Sequence, residues 1–561
     1  MRLSTGNLVL ASISGVLAAC INPPPRVRIA DGTVIGFSNN SIDTFQGIPY
    51  ADPPIGELRF KSPRRLSSPF GVFNATSTPP SCPPHPIVTD PNIFKLLPPP
   101  LSDAVNGYFH TPTIVSEDCL NLAVQRPSST APNAKLPVLV WIYGGSFQFG
   151  SYEDYDYSPM ISKSVALGQP VIIVRMQYRT GTWGFLAGKD LQEEGNTNIG
   201  LKDQRLALQW VADNIAAFGG DPDKVTIWGE SAGSMSVFYQ SIAYNGDNTY
   251  RGRKLFRGAI MNSGAALPGQ PVDSQTAQSF YDALVTATGC GGAAGGRLSC
   301  LRKVPYDTLY NATAVIPGMF SPDGLRMSFV PRPDPKDTFL PSSSFDLLKN
   351  QKIAPIPVLS GTQDDEGTLF ALSMLNSTNS ATLTKALHDL YPVAPSDIFK
   401  PLLDVYPDQP SLGSPFDTGN ANQLYPGFKR NAALVGDLAF HFKKRAFHEA
   451  IARKLKIWNF NSKYGKATPF LGTFHGSDLG LMRTGQPLVP YEAILRYYIS
   501  FVNFLDPNKL GHNGDLPNWP QWDRDSKKML EFRDNATAVV TDDARQEAFE
   551  YFVKVQDKFL F

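Results

Sequence analysis

Ser231 lies in Trp228-Gly229-Glu230-Ser231-Ala232-Gly233, with one glycine two residues before it and another two after it. A serine hydroxyl framed in this way can attack an acyl carbon once a base removes its proton. Val225-Thr226-Ile227-Trp228 upstream is β-branched and aromatic and reads as a buried strand, while Ser234 to Tyr239 continues as a helix. Strand and helix must pass closely at a strained turn, which explains glycine at both flanking positions. The Ala232 N–H then opens the helix and can bind developing negative charge. Acyl transfer also needs a general base, and histidine suits that task near neutral pH. Seven histidines are available: His85, His110, His388, His441, His448, His475 and His512. His475 follows the apolar stretch Pro469–Phe474 and precedes Gly476-Ser477-Asp478, a loop position where such a base belongs. His441 and His448 lie seven residues apart in an expected helix, Asp437 to Lys454, and read as packing or solvent-facing residues. A carboxylate must orient the imidazole. Asp364, Asp365 and Glu366 cluster just after the apolar run Pro357–Ser360, and order along the chain does not choose among them.

The elements that must position these groups follow from hydrophobic patterning. Leu136–Tyr143 and Pro170–Met176 are continuous apolar runs, the mark of central strands covered on both faces. Asp203–Phe218 carries Leu206, Trp210, Val211 and Ile215 at helical spacing, and Gly219-Gly220-Asp221-Pro222 stops it. Val27–Gly47 contains a hairpin turning at Asp31-Gly32. Later strands are expected at Phe256–Met261, Pro357–Ser360 and Leu455–Phe460. This alternation predicts an α/β fold with a large mixed, mostly parallel central sheet flanked by helices. No linker or internal repeat interrupts it, so residues 21–561 read as a single catalytic domain.

The run Phe218–Gly233, together with Glu117-Asp118-Cys119-Leu120-Asn121-Leu122, Asn198–Arg205 and Asp365-Glu366-Gly367, resembles the type-B carboxylesterase/lipase family of α/β-hydrolases. Within it, Ser343–Asn350 and Gly472–Gly476 look most like the fungal lipase and sterol-esterase branch. The resemblance implies the α/β-hydrolase fold and the chain order serine, acid, histidine, which removes His85 and His110. It selects His475 as base and Glu366 as acid, with Asp365 as runner-up. It also places an oxyanion loop at Tyr143–Phe147, giving Gly145, Ser146 and Ala232 as donors and Gly144 as the turn residue. Ser146 departs from the family, which has a third glycine there; its side chain narrows the alcohol pocket. The same likeness implies that Glu230 shapes the site, that Ser263 hydrogen-bonds the acid, and that Arg59–Glu117 and Arg179–Asp203 are buried ion pairs.

Composition restricts the function classes. A net charge of +1, 42% hydrophobic residues and no basic run exclude nucleic acid as an expected partner. No cluster of metal ligands appears, and neither metal nor organic cofactor is implied. Leu8–Ala19 is apolar but too short to span a bilayer, and Ala18-Ala19 before Cys20 suits signal cleavage, so residues 1–20 read as a signal peptide and the protein as secreted. Four cysteines remain beyond Cys20. They permit three pairings, of which the nearest-neighbour set, Cys82–Cys119 and Cys290–Cys300, is the simplest. Sequons at Asn39, Asn74, Asn311, Asn376 and Asn535 fit a secretory route.

The loop from Cys82 to Cys119 holds Ile93, Phe94, Leu96 and Leu97 after a helix start at Asp90-Pro91. A tethered loop with one oily face is what a lid over a lipid-ester site requires, and it would meet a lipid–water interface transiently. It contains no tryptophan, which disfavours small cationic esters. The leading expectation is hydrolysis of lipid esters, acylglycerols or sterol esters, through an acyl-enzyme on Ser231. Alternatives are a lidless carboxylesterase for short-chain or aromatic esters and a non-catalytic adhesion module; an intact serine, acid and histidine set speaks against the latter. The sequence carries no signal for oligomeric state.

Overall fold

A computed structural model describes the chain from residue 23 onward, apart from 87–93, 100, 103–104, 106–111, 113, 322–323, 485–487 and 511–514. The expected signal peptide, the helix start at Asp90-Pro91 and Ile93 lie outside the described residues. Eleven strands form the main sheet: β1 (Phe37–Asn39), β2 (Ile42–Pro49), β3 (Asn121–Pro127), β4 (Leu136–Ile142), β5 (Ile172–Met176), β6 (Gly220–Glu230), β7 (Gly258–Asn262), β8 (Val358–Gln363), β9 (Ile457–Ser462), β10 (Lys528–Phe532) and β11 (Thr537–Thr541). Their spatial order is β11-β10-β9-β8-β7-β6-β4-β5-β3-β2-β1. Strands β5, β4, β6, β7, β8, β9 and β10 run parallel to their neighbours within that set, and antiparallel strands close both edges. The apolar runs at β4 and β5 are buried almost throughout, because helices cover both faces of this part of the sheet.

The hairpin turning at Asp31-Gly32 is present, but its second strand pairs with Gly71–Asn74, making a separate three-stranded sheet. Helix α1 (Ile199–Asn214) starts four residues earlier than the apolar spacing predicts, because buried Asp203 and Arg205 occupy its inner face. Asp203 binds Arg179 through two side-chain hydrogen bonds of 2.6 and 2.8 Å. Arg59 grips Glu117 in the same bidentate manner, with both contacts at 2.6 Å. Each of these four buried charges therefore has its partner, which is the condition for keeping ions out of water.

The expected helix over Asp437–Lys454 begins earlier, as α-helix Phe428–Gly436, a π-helical turn Asp437–His441 and α-helix Phe442–Ile451. Lys429, Arg430 and Asn431 are buried on its first turns, where their side-chain nitrogens all donate hydrogen bonds, so the segment lacks the polar face that marks a surface helix. His441 and His448 are both buried there; His441 meets Thr362 and His448 lies against Trp522. Both disulfides follow the nearest-neighbour pairing, and all five sequon asparagines are exposed. Among the described residues, no helix is long and apolar enough to cross a membrane.

Candidate active site

Everything that bears on chemistry meets at the carboxyl ends of the parallel strands, where an open α/β sheet offers its loops to a ligand. Ser231 follows β6 directly, and helix α2 (Ala232–Gly246) follows Ser231. The serine has φ 56° and ψ −126°, a costly conformation that persists because its surroundings enforce it. A Cβ on Gly229 would lie 2.3 Å from the Gly233 carbonyl carbon, and one on Gly233 would lie 2.0 Å from the Ile142 oxygen. No other residue type fits either position. The Ser231 N–H donates to the Asn262 carbonyl at 2.9 Å, tying the turn to the end of β7.

His475 Nε2 stands 2.8 Å from Ser231 Oγ, and its Nδ1 stands 2.5 Å from Glu366 Oε2. An ionised carboxylate only accepts, so Nδ1 carries the proton and Nε2 is left to receive the serine's. Glu366 Oε1 in turn accepts the Gln363 N–H at 2.8 Å, which fixes the carboxylate at the end of β8. The rings of Phe370 and Phe440 flank the imidazole, with centroids 5.0 and 4.6 Å away.

The three adjacent acids part company in space. Asp364 turns to Asn461 and Lys466. Asp365 accepts from Ser414 Oγ, the Phe416 N–H, the Thr473 N–H and Lys466. Only Glu366 reaches the imidazole. The Asp365 N–H also donates to the Thr473 carbonyl at 2.9 Å, so the acid turn and the histidine loop are joined backbone to backbone.

Tyr143–Phe147 follows β4 and faces the serine. Gly145 has φ 101°, and its carbonyl accepts the N–H groups of Gln148 and Phe149, which turns the loop back on itself. A Cβ on Gly144 would meet Glu230 and Ser231 at 2.7–2.9 Å, so this turn residue allows the loop to approach the elbow. Ser146 holds φ 60° despite its side chain, and its Oγ donates to Met319 Sδ. Ala232 is the first residue of α2, so its N–H has no acceptor within the helix. Next to these groups lies an apolar cavity lined by Met235, Met319, Leu325, Phe440 and the Phe561 ring, with Ser146 and Ser231 at its wall.

Burial governs the electrostatics. It pushes the Glu230 carboxyl up to about 8, reinforced by the charges of Asp478 and Glu366. Burial thus favours the neutral form of Glu230, while the imidazole opposes it, with Oε1 3.4 Å from His475 Nε2. Burial also pushes Asp478 up to about 6, with Glu366 adding to the effect. Burial opposes the imidazolium of His475, but the neighbouring carboxyls outweigh it and hold its pKa above the ordinary histidine value.

One expected contact is absent. Ser263 was expected to bond the acid, yet its Oγ is buried with no hydrogen-bond partner among the described residues, and its N–H donates to Gly361. Gln363 supplies the donor to Glu366 instead, because the chain bends back immediately after β8. Two further residues belong to the site without having been marked by sequence. Asp478 accepts from Asn262 Nδ2 at 2.6 Å, and the Asn262 side-chain oxygen accepts from Trp228 and Tyr498. Asp478 stands three residues after His475, a spacing that offered a signal for it.

A model of the carboxylesterase family matches residues 23–552. The chain is 43% identical over 533 residues to a secreted triacylglycerol lipase of Gibberella zeae, covering 94% of this chain and 89% of that protein. It is 44% identical to a secreted lipase of Botryotinia fuckeliana, covering 94% and 92% of the two chains. Among solved structures, Aspergillus niger EstA superposes with a TM-score of 0.81 at 26% identity, covering 96% of this chain and 99% of that one. With serine, histidine and glutamate in contact at the strand ends of an α/β-hydrolase sheet, and likeness spread over nearly its whole length, this chain belongs to the carboxylesterase family and is a carboxylic ester hydrolase.

Proposed function

We propose that the protein is a secreted lipase that cleaves lipid esters, acylglycerols or sterol esters, through an acyl-enzyme on Ser231. The observation that carries this reading is the Ser231–His475–Glu366 relay opening onto a cavity of almost wholly apolar lining. Ser231 Oγ attacks the ester carbonyl while His475 Nε2 takes its proton. Glu366 holds the imidazole and stabilises the imidazolium. The N–H groups of Gly145, Ser146 and Ala232 receive the oxyanion, each worth about 10²–10³ in rate. The alcohol leaves with the proton from Nε2, and water activated by His475 then releases the acid. Gly144 sets the loop, and Glu230, whose burial favours its neutral form, stands beside the imidazole.

Residues 21–561 form one catalytic domain in this reading, and Cys82–Cys119 tethers a lid. Within that loop Leu97 and Val105 are buried against Leu369, Leu372, Phe428 and Leu471, the walls that carry the acid turn and histidine loop. Leu96 and Ile114 remain 41% and 47% exposed, so the loop presents apolar surface outward as a lipid-facing lid would. The secreted relatives, the paired cysteines and the exposed sequons support the secretory route. Hydrolysis of an emulsified triacylglycerol series of rising chain length tests the assignment. Activity should climb above substrate solubility and vanish in Ser231→Ala; activity confined to dissolved short-chain esters points to a lidless esterase.

A further inference from the structure

A second cavity has a volume of about 560 Å³, within the roughly 300–1,000 Å³ range of small-molecule sites. Its walls include Pro268, Phe345, Leu348, Phe447, Ala450 and Val553. Lys443 stands in this lining, buried, with its Nζ bonded to no acceptor among the described residues. The ammonium rests 4.4 Å from the centroid of the Phe561 ring, which is the same ring that lines the cavity beside Ser231. Phe561 is pinned there by hydrogen bonds to Pro268, Gln270 and Arg332. The Lys443–Phe561 contact therefore links the linings of the two cavities.

The charges around this space favour an anion. Lys349 and Lys554 stand exposed in its lining, and neither forms an ion pair among the described residues. The two lining acids are already engaged: Asp346 accepts from Ser343 at the start of a helix, and Asp557 pairs with Lys558. Burial alone pushes the Lys443 ammonium down to about 7, the expected response of a cation without a counter-ion. A single buried ammonium beside apolar wall residues, with the other charged side chains of the lining exposed, matches a monoanion with a hydrocarbon tail; a phosphate dianion needs further buried donors. The Gln556 amide in the same lining is spent on the Val553 carbonyl.

We propose that this cavity binds a long-chain carboxylate, with Lys443 as the counter-ion to its headgroup and the apolar wall receiving its chain. That the ligand is the acid released at Ser231 rests on the hydrolysis proposed above; the site itself does not. Lys443 touches Phe561, which lines the acyl cavity, so a carboxylate held there would lie next to the site where the acid is released.

The test uses the full chain labelled at Ser231 with a long-chain p-nitrophenyl alkylphosphonate, which fills the acyl cavity. Palmitate titrated into this protein by calorimetry should bind once per chain. Lys443→Met should weaken palmitate by about ten-fold or more, while hexadecanol binding stays the same, and Lys443→Arg should retain palmitate. Should Lys443→Met fail to fold, the surface double variant Lys349→Glu/Lys554→Glu should still weaken palmitate and spare hexadecanol. Equal palmitate affinity in the wild type and the charge variants, or no palmitate binding to the labelled protein, overturns the proposal. Failure of phosphonate labelling counts against the acyl-enzyme instead; Lys443-dependent palmitate binding to the unlabelled chain would then sustain the site without its product role.

Discussion

Asp365 and Thr473 hold each other in both directions: the Asp365 N–H donates to the Thr473 carbonyl, and the Thr473 N–H donates to the Asp365 carboxylate, each at 2.9 Å. The neighbour of the acid, rather than the acid itself, thus sets where the histidine loop sits. Asp365→Ala should strand the Ser414 hydroxyl and the Phe416 and Thr473 N–H groups, destabilising the protein by about 3–5 kcal/mol. Displacing His475 by about 1 Å should lower kcat about 10²-fold with little change in KM. Thermal unfolding and ester kinetics on the same sample check both; unchanged kcat would show that the clamp does not position the base.

Glu366→Gln should keep the fold and lose about 10⁴ in kcat, because a neutral amide no longer stabilises the imidazolium. Asp364→Asn should leave kcat nearly intact, since Asp364 faces Asn461 and Lys466. A reversed order in the two variants would move the acid from Glu366 to its neighbour.

The pH profile carries a sign. His475 must be neutral to accept the serine proton, and its neighbours hold its pKa above the ordinary histidine value. Activity should therefore rise with pH through a midpoint above about 6.5 in kcat/KM. A midpoint below that value would contradict the electrostatics of the site.

Glu230 should cost stability as pH rises. Its folded pKa is about 8, and a carboxyl in the unfolded chain titrates near about 4.3. Between those values the folded chain retains a proton that the unfolded chain loses, so stability falls through this window and the effect is absent below it. Glu230→Gln should gain on the wild type by several kcal/mol between pH 4 and pH 8. Melting temperatures across that range check it; a constant difference would mean that Glu230 is ionised in the folded state.

How much was legible in sequence depended on how local the physics is. The turn at Ser231 was readable because one of the clashes that demand glycine, Gly229 against Gly233, occurs within five residues. Central strands β4 and β5 were readable because burial on both faces leaves an uninterrupted apolar run. The choice among Asp364, Asp365 and Glu366 needed the family, since it depends on partners about a hundred residues away. Ser263 does not bond the acid for a different, local reason: Gln363, three residues before Glu366, supplies the donor. The acyl cavity left no trace in periodicity, because Met235, Met319, Leu325, Phe440 and Phe561 come from separate segments.

The parallel sheet delivers the nucleophile, the acid, the base and the oxyanion loop from four different strands, β6, β8, β9 and β4. The atoms that react are thus indexed to the hydrogen-bond ladder, whereas the side chains that sort substrates ride on connections whose length the ladder does not constrain. Such a division lets lineages exchange or lengthen those connections and explore new esters while the reaction centre stays in tune.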